Sequence, residues 1–260
     1  MIKLKYPLFE KIKYFNYNES IGDIMTIEKR TIQTSEIGYN FKIRPSDLIN
    51  LIQDVEGKDI EKVTKTDFAT EKADYSIVLN FRYVEIKRWP KYKDQLEIHS
   101  FPMETNAFYG YRNTIIYDEY GKPLIESYSL GSFINLDTLK PYRMSEEQLK
   151  GIGEHHKYEM NFVGRKIDLN REFEFVKEVK ITVQPSHIDY FQHLNNAFYI
   201  EFAVNQLPLE FEFNRLFAEH KLPFVMFDEM TLVTQKTPDS YVVLFLNKER
   251  KIYAVFEFKK

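Results

Sequence analysis

The chain contains no cysteine, which excludes at once a disulfide framework, a thiolate nucleophile and cysteine-bound zinc or iron–sulfur centres. Chemistry, if present, runs on activated oxygen or on imidazole. Glycine is scarce, 9 in 260 residues, too few for a fibrous repeat, and no Gly-rich phosphate loop occurs. No stretch approaches the roughly 18 to 20 apolar residues that span a bilayer. Charge of one sign is lacking as well: 36 Lys and Arg stand against 39 Asp and Glu, a formal net charge of -3. Spread along the chain, these charges give no global field for holding nucleic acid or a membrane surface. Segment 1–17 mixes Lys3, Lys5, Lys11 and Lys13 with scattered aromatics and lacks an apolar core with a small-residue cleavage site, so it does not read as a secretory signal. The expectation is a soluble, cytoplasmic protein without stable membrane association.

What the chain does have is apolar bulk. The hydrophobic share is 43% and the aromatic share 16%, with 22 Phe and 18 Tyr, enough for a sizeable core. At this length two units of about 100 to 130 residues, or one large β-rich domain, are the natural readings.

Hydrophobic periodicity gives the organisation. Thr26 to Glu36 is strand-like. Pro45 then opens a helix with Leu48, Leu51, Ile52 and Val55 on one face, fading near Val63. Proline suits the first helical position, and Asp47 in the first turn complements the helix dipole. Strands follow at Ser76 to Ile86, Asp94 to Glu104, Tyr109 to Tyr117 and Leu124 to Leu136, separated by turn-like segments, so an antiparallel meander is expected. Pro141 to Arg171 has no sustained period and reads as a connection. The order then recurs: a strand from Phe173 to Val183, a long apolar segment from Leu194 to about Phe217 interrupted at Pro208, and three closing strands, Phe224 to Lys236, Ser240 to Leu246 and Lys251 to Phe258. Two copies of a helix followed by a meander, about 150 residues apart, point to an internal duplication of α+β class.

Polar chemistry concentrates in His187-Ile188-Asp189-Tyr190-Phe191-Gln192-His193-Leu194-Asn195-Asn196, where a strand hands over to a helix. Unpaired N–H groups at a helix start can hold a carbonyl oxygen and the oxyanion formed on attack. Asp189 could activate water or attack directly, and His193 could orient that carboxylate or protonate a leaving group. On pattern alone, helix capping by Asp189, Asn195 and Asn196 accounts for the same residues. A metal set of His187, Asp189 and His193 finds no common face, Ser186-His187 lacks the elbow of an α/β-hydrolase, and His155-His156 reads as a solvated pair.

Asp-x-x-x-His-x-Asn-Asn at this handover, followed by Tyr199-Ile200, resembles the signature of the acyl-acyl-carrier-protein thioesterases. Ser35-Glu36-Ile37-Gly38, Gln53-Asp54, Arg82, Arg88-Trp89-Pro90, Asp94, Gly110-Tyr111-Arg112, Ser132-Phe133, Asp137 and Pro141-Tyr142-Arg143 are similar to the family's first half. The resemblance implies a tandem hotdog. Its parts would be an acyl-binding half at 1–145, a linker at 146–171 and a catalytic half at 172–260. It implies hydrolysis of fatty acyl-acyl carrier protein to free fatty acid, with no cofactor. Acyl-CoA hydrolysis and non-catalytic acyl binding are the alternatives. Acyl carrier protein is the implied partner, and a homodimer the assembly to test. The family's catalytic Asp falls on Asp189 and its His on His193. Phe191 stands where the family has a catalytic Asn, and Gln235, which the resemblance adds to Asp189 and His193 as a catalytic residue, where it has Glu. Asn195, Asn196, Phe191 and Trp89 are the expected substrate contacts, and Lys87, Arg88, Lys91 and Lys93 around Trp89 suggest a docking patch for an acidic carrier.

Overall fold

The computed structural model describes residues 25–64, 74–152, 158–160 and 164–260. Segment 1–17 and the His155-His156 pair lie outside these. The first half runs β1 (Thr26–Thr31), α1 (Pro45–Thr64), β2 (Tyr75–Ile86), β3 (Gln95–Thr105), β4 (Tyr109–Asp118) and β5 (Pro123–Asn135), the expected order of strand, helix and four strands. The expected connection contains a short helix, α2 (Glu146–Ile152). A capping box accounts for it: the Ser145 hydroxyl accepts the Gln148 N–H at 3.2 Å, and Gln148 Oε1 accepts the Ser145 N–H at 2.8 Å. Ile152 and Met144 then bury against Tyr75 and Phe133.

The second half runs β6 (Glu174–Thr182), α3 (Asn196–Val204), β7 (Arg215–His220), β8 (Glu229–Lys236), β9 (Ser240–Leu246) and β10 (Ile252–Lys259). Here structure and expectation differ. The apolar segment from Leu194 is helical only to Val204; a turn at Pro208, where the Phe211 N–H donates to the Pro208 carbonyl at 3.0 Å, redirects the chain into a strand. In β7, Leu216 and Ala218 point into the core on alternate positions, so the tail of the supposed helix is a six-residue strand. The next strand begins at Glu229 rather than Phe224, because Val225, Met226 and Phe227 form an exposed turn. Phe227 has φ 67°, and Asp228 accepts the Val225 N–H at 3.0 Å.

All strands join one antiparallel sheet in the order β1-β3-β4-β5-β2-β7-β10-β9-β8-β6. From either edge the sequence is first, third, fourth, fifth and second strand of a half, so the two copies meet at a seam between β2 and β7, paired from Phe81↔Glu219 to Glu85↔Arg215. Helices α1 and α3 pack against each other. Leu48, Ile49, Leu51, Ile52 and Val55 of α1 are at most 3% exposed. At about 1.5 to 3 kcal/mol each, these five side chains fix α1 in place. Among the described residues no helix is long and apolar enough to cross a membrane.

Candidate active site

The loop between β6 and α3 is tied at several points. The Ile188 and Leu194 backbones form a bridge, the Asp189 N–H donates to the His193 carbonyl at 2.9 Å, and Gln192 takes φ 65° to close the turn. Asp189 Oδ1 accepts the N–H groups of Phe191 at 2.9 Å and of His193 at 3.2 Å. Burial pushes the Asp189 carboxyl above the ordinary carboxylate range, against the downward pull of those two bonds and of positive charge on His193. His193 itself is exposed. Asn195 caps α3: its Oδ1 accepts the Ala197 N–H at 2.8 Å and also Gln53 Nε2, from α1 of the other half, at 3.2 Å. The N–H of Asn196, first in the helix, has no partner among the described residues. It is the donor that a carbonyl oxygen could take.

Deeper in, Tyr199 of α3 accepts the Phe224 N–H at 3.2 Å, and burial raises its hydroxyl. Its ring meets His220 of β7 edge-on at 5.2 Å. Burial, helped by the charge of Arg82, pushes the His220 imidazole down to about 3, so it is neutral at physiological pH.

The first half contains the same loop. Glu36 and His187 stand 151 positions apart (187 - 36), and each fills the same place in a short helical turn capped by Gln33 or Gln184. Gly38 N–H donates to the Lys42 carbonyl as Asp189 does to His193; Ile37 bridges Ile43 as Ile188 bridges Leu194; Phe41, φ 60°, matches Gln192. The two loops share their backbone and differ in their chemistry. Gly38 stands for Asp189, Lys42 for His193, and Pro45, which has no N–H, for Asn196. In the first loop the Lys42 N–H, equivalent to that of His193, donates to Asn40 Oδ1 at 3.2 Å, so the turn closes with no carboxylate at the place of Asp189, which weakens the reading of that residue as a mere cap. The signal was visible in the sequence: Gln33-Thr34-Ser35-Glu36-Ile37-Gly38-Tyr39 and Gln184-Pro185-Ser186-His187-Ile188-Asp189-Tyr190 share Gln, Ser, Ile and Tyr in register.

The other expected residues are placed as follows. Phe191 is 38% exposed and packs on Tyr190 with centroids 4.1 Å apart, forming an apolar lip beside Asp189. Gln235 is not brought to this loop: Glu229 lies at the loop end of β8, and Gln235, paired with Phe175, is six residues away, about 20 Å along the strand. Trp89 packs edge-on against Phe213 at 5.4 Å as part of the core boundary, rather than standing as an exposed aromatic. Of the basic residues around it, Lys87 pairs with Glu126, and Arg88 with Asp94 at 2.6 Å. His187 accepts the Gln184 N–H through Nδ1 at 2.9 Å and lies against Phe198 and Phe202, a structural role. Gln53, reaching Asn195 from the other half, was not singled out as a site residue.

Two antiparallel halves with their helices packed together, and one loop carrying a carboxylate, an imidazole and an open helix N–H, define a fold and site suited to acyl transfer to water. Residues 24–152 match the acyl-ACP thioesterase N-terminal domain, and residues 170–227 match the acyl-ACP thioesterase C-terminal domain. The chain belongs to the acyl-ACP thioesterase family. Its fold is a double hotdog, similar to the acyl-ACP thioesterase from Bacteroides thetaiotaomicron, with a TM-score of 0.78 at 17% identity, covering 90% of this chain and 97% of that one. The 12:0-ACP thioesterase from Umbellularia californica gives a TM-score of 0.75 at 16% identity, covering 90% and 96% respectively. No curated protein matches in sequence. By family the protein is a thioester hydrolase acting on fatty acyl-acyl carrier protein.

Proposed function

We propose that Asp189 and His193 perform this hydrolysis in the half spanning 172–260, with the half spanning 1–145 holding the acyl group. The observation that carries the assignment is the contrast between the twin loops: carboxylate, imidazole and open N–H stand together at positions 189, 193 and 196 of the second, where the first has Gly38, Lys42 and Pro45. Asp189 takes a proton from water as its oxygen attacks the thioester carbon. The Asn196 N–H receives the developing oxyanion, assisted by the positive end of α3. When the tetrahedral adduct collapses, the C–S bond breaks and His193 delivers a proton to the thiolate, giving free acid and carrier thiol. Phe191 forms an apolar lip at this site, and Gln235 is given no part.

A single turnover with enzyme in excess in ¹⁸O-water tests the step. General-base attack puts one labelled oxygen in each fatty acid released. Unlabelled acid from the first turnover would overturn it in favour of direct attack by the Asp189 carboxylate.

For the carrier, Lys91 and Lys93 are the docking residues: both are exposed, while Lys87 and Arg88 are engaged in pairs. Their charge would steer an acidic carrier toward the first half. We also read the protein as cytoplasmic, which fractionation of cells expressing the tagged chain would test.

A further inference from the structure

The sheet face that α1 covers changes character row by row. One row across four strands is Ile86, Ile125, Ile116 and Ile98, all buried. The next is Val84, Ser127, Thr114 and Ser100. The third places Arg82, Ser129 and Arg112 side by side on β2, β5 and β4. Helix α1 changes in step, from Leu48, Ile52 and Val55 to Glu56 and Asp59, which are 7% and 0% exposed. Arg82 grips Glu56 with two bonds, 3.1 and 2.6 Å, and Thr114 donates to the same carboxylate at 3.1 Å. Arg112 holds Asp59 Oδ2 and reaches Ser100 at 3.3 Å.

Taking four charges out of water is expensive, and apolar residues of similar volume often serve a fold as well or better, so this shelf is weakly explained by stability alone. Its hydrogen bonding is also incomplete: Asp59 Oδ1, an acceptor, and Arg82 Nε, a donor, are buried without a partner among the described residues. Both belong to side chains more than nine-tenths buried.

The shelf lies close to the candidate site. Gln53 touches the α3 cap, and Glu56 and Asp59 follow it by three and six residues, about 4.5 and 9 Å along the helix. With three chain bonds spanning about 3.8 Å, a carbon chain running along α1 from a carbonyl at α3 meets the shelf after roughly four to seven bonds. We propose that the shelf selects the acyl group. Saturated chains fit up to about eight carbons, and a hydroxyl carried that far along is welcomed, accepting from Arg82 or donating to Asp59. The inference rests on the thioesterase reading and names its substrate class.

The test compares wild-type kcat/KM for carrier-linked octanoyl, 8-hydroxyoctanoyl, dodecanoyl and hexadecanoyl thioesters. The expected order places 8-hydroxyoctanoyl level with or above octanoyl and hexadecanoyl at least tenfold below. An unbroken apolar tunnel would instead penalise the buried hydroxyl tenfold or more. That penalty, or a preference for hexadecanoyl, overturns the proposal. The paired change Glu56→Leu with Arg82→Met should move the optimum toward dodecanoyl and abolish tolerance of the hydroxyl; a folded variant with an unchanged profile counts against the shelf. If the variant does not fold, the wild-type ranking decides. If no thioester is cleaved, the hydrolase reading fails separately, and calorimetry with the free acids judges the shelf: hexadecanoate binding more tightly than 8-hydroxyoctanoate sinks it.

Discussion

Replacing Asp189 by Asn exchanges one carboxylate oxygen for an amide and keeps Oδ1, which accepts the Phe191 and His193 N–H groups. Two charge-assisted bonds become neutral ones, a loss of roughly 1 to 2 kcal/mol. Relief of the burial that raises this carboxyl works in the opposite direction. The melting temperature should therefore move by no more than about 4 °C. That the loop tolerates loss of the charge is supported by its twin, which closes with Gly38 in the same place. The effect on rate is expected to be far larger. An amide cannot take a proton from water, and loss of a positioned base costs about 10²- to 10⁴-fold, so turnover should fall at least a hundredfold, about 2.7 kcal/mol in the barrier. The assay follows carrier thiol release by a colorimetric reagent, with circular dichroism melting on the same samples. Turnover within threefold of wild type would refute Asp189 as the base. A fall in activity accompanied by a melting shift above about 10 °C would make the residue structural instead.

Three further outcomes follow from the same geometry. Catalytic efficiency should rise with pH through an inflection above the ordinary aspartate range, since Asp189 must be ionised; an inflection at or below that range would contradict its partial burial. The stability sign is opposite. A raised carboxyl favours the fold fully below its unfolded value and loses that contribution as pH rises through the folded one, so Asp189→Asn should flatten the melting profile as pH rises from the ordinary aspartate range. Asn196→Pro removes the open N–H while keeping a residue the helix start accepts, as Pro45 does in α1. Turnover should drop about 10²- to 10³-fold with little change in melting, and retained turnover would place the oxyanion elsewhere. Lys91→Glu with Lys93→Glu should weaken the carrier-linked reaction and its salt dependence, as the Debye length shrinks from about 30 to 8 Å, while sparing small thioesters; equal effects on both substrates would end the docking assignment.

The first half was readable because its signals are local. Leu48, Leu51, Ile52 and Val55 carry a clean helical period, and each strand is rich in β-branched or aromatic residues and closed by a turn. The second half hid β7, whose six residues include Arg215, Glu219 and His220 and follow an apolar run without a Gly break. Only pairing with β2 and β10 settles their conformation, and such pairing leaves no local trace. At the site, Asp189 and His193 were legible as a motif. Gln235 follows from the family resemblance, but strand register, which a sequence pattern does not carry, separates it from the loop. The shelf was illegible for a related reason: Arg82 and Arg112 stand in the family pattern, but nothing local says that they meet Glu56 and Asp59 until sheet and helix bring them face to face.

The seam between β2 and β7 is, in symmetry terms, a two-fold contact whose partners share one chain. Two identical subunits joined this way would repeat every substitution on both sides, so each would carry the same loop. Fusion removes that constraint. Glycine, lysine and proline can stand on one side while aspartate, histidine and asparagine stand on the other. Fusion also removes a dependence on mass action: the Gln53 contact with Asn195 joins two halves that dilution cannot separate, so the assembled site is first order in chain concentration.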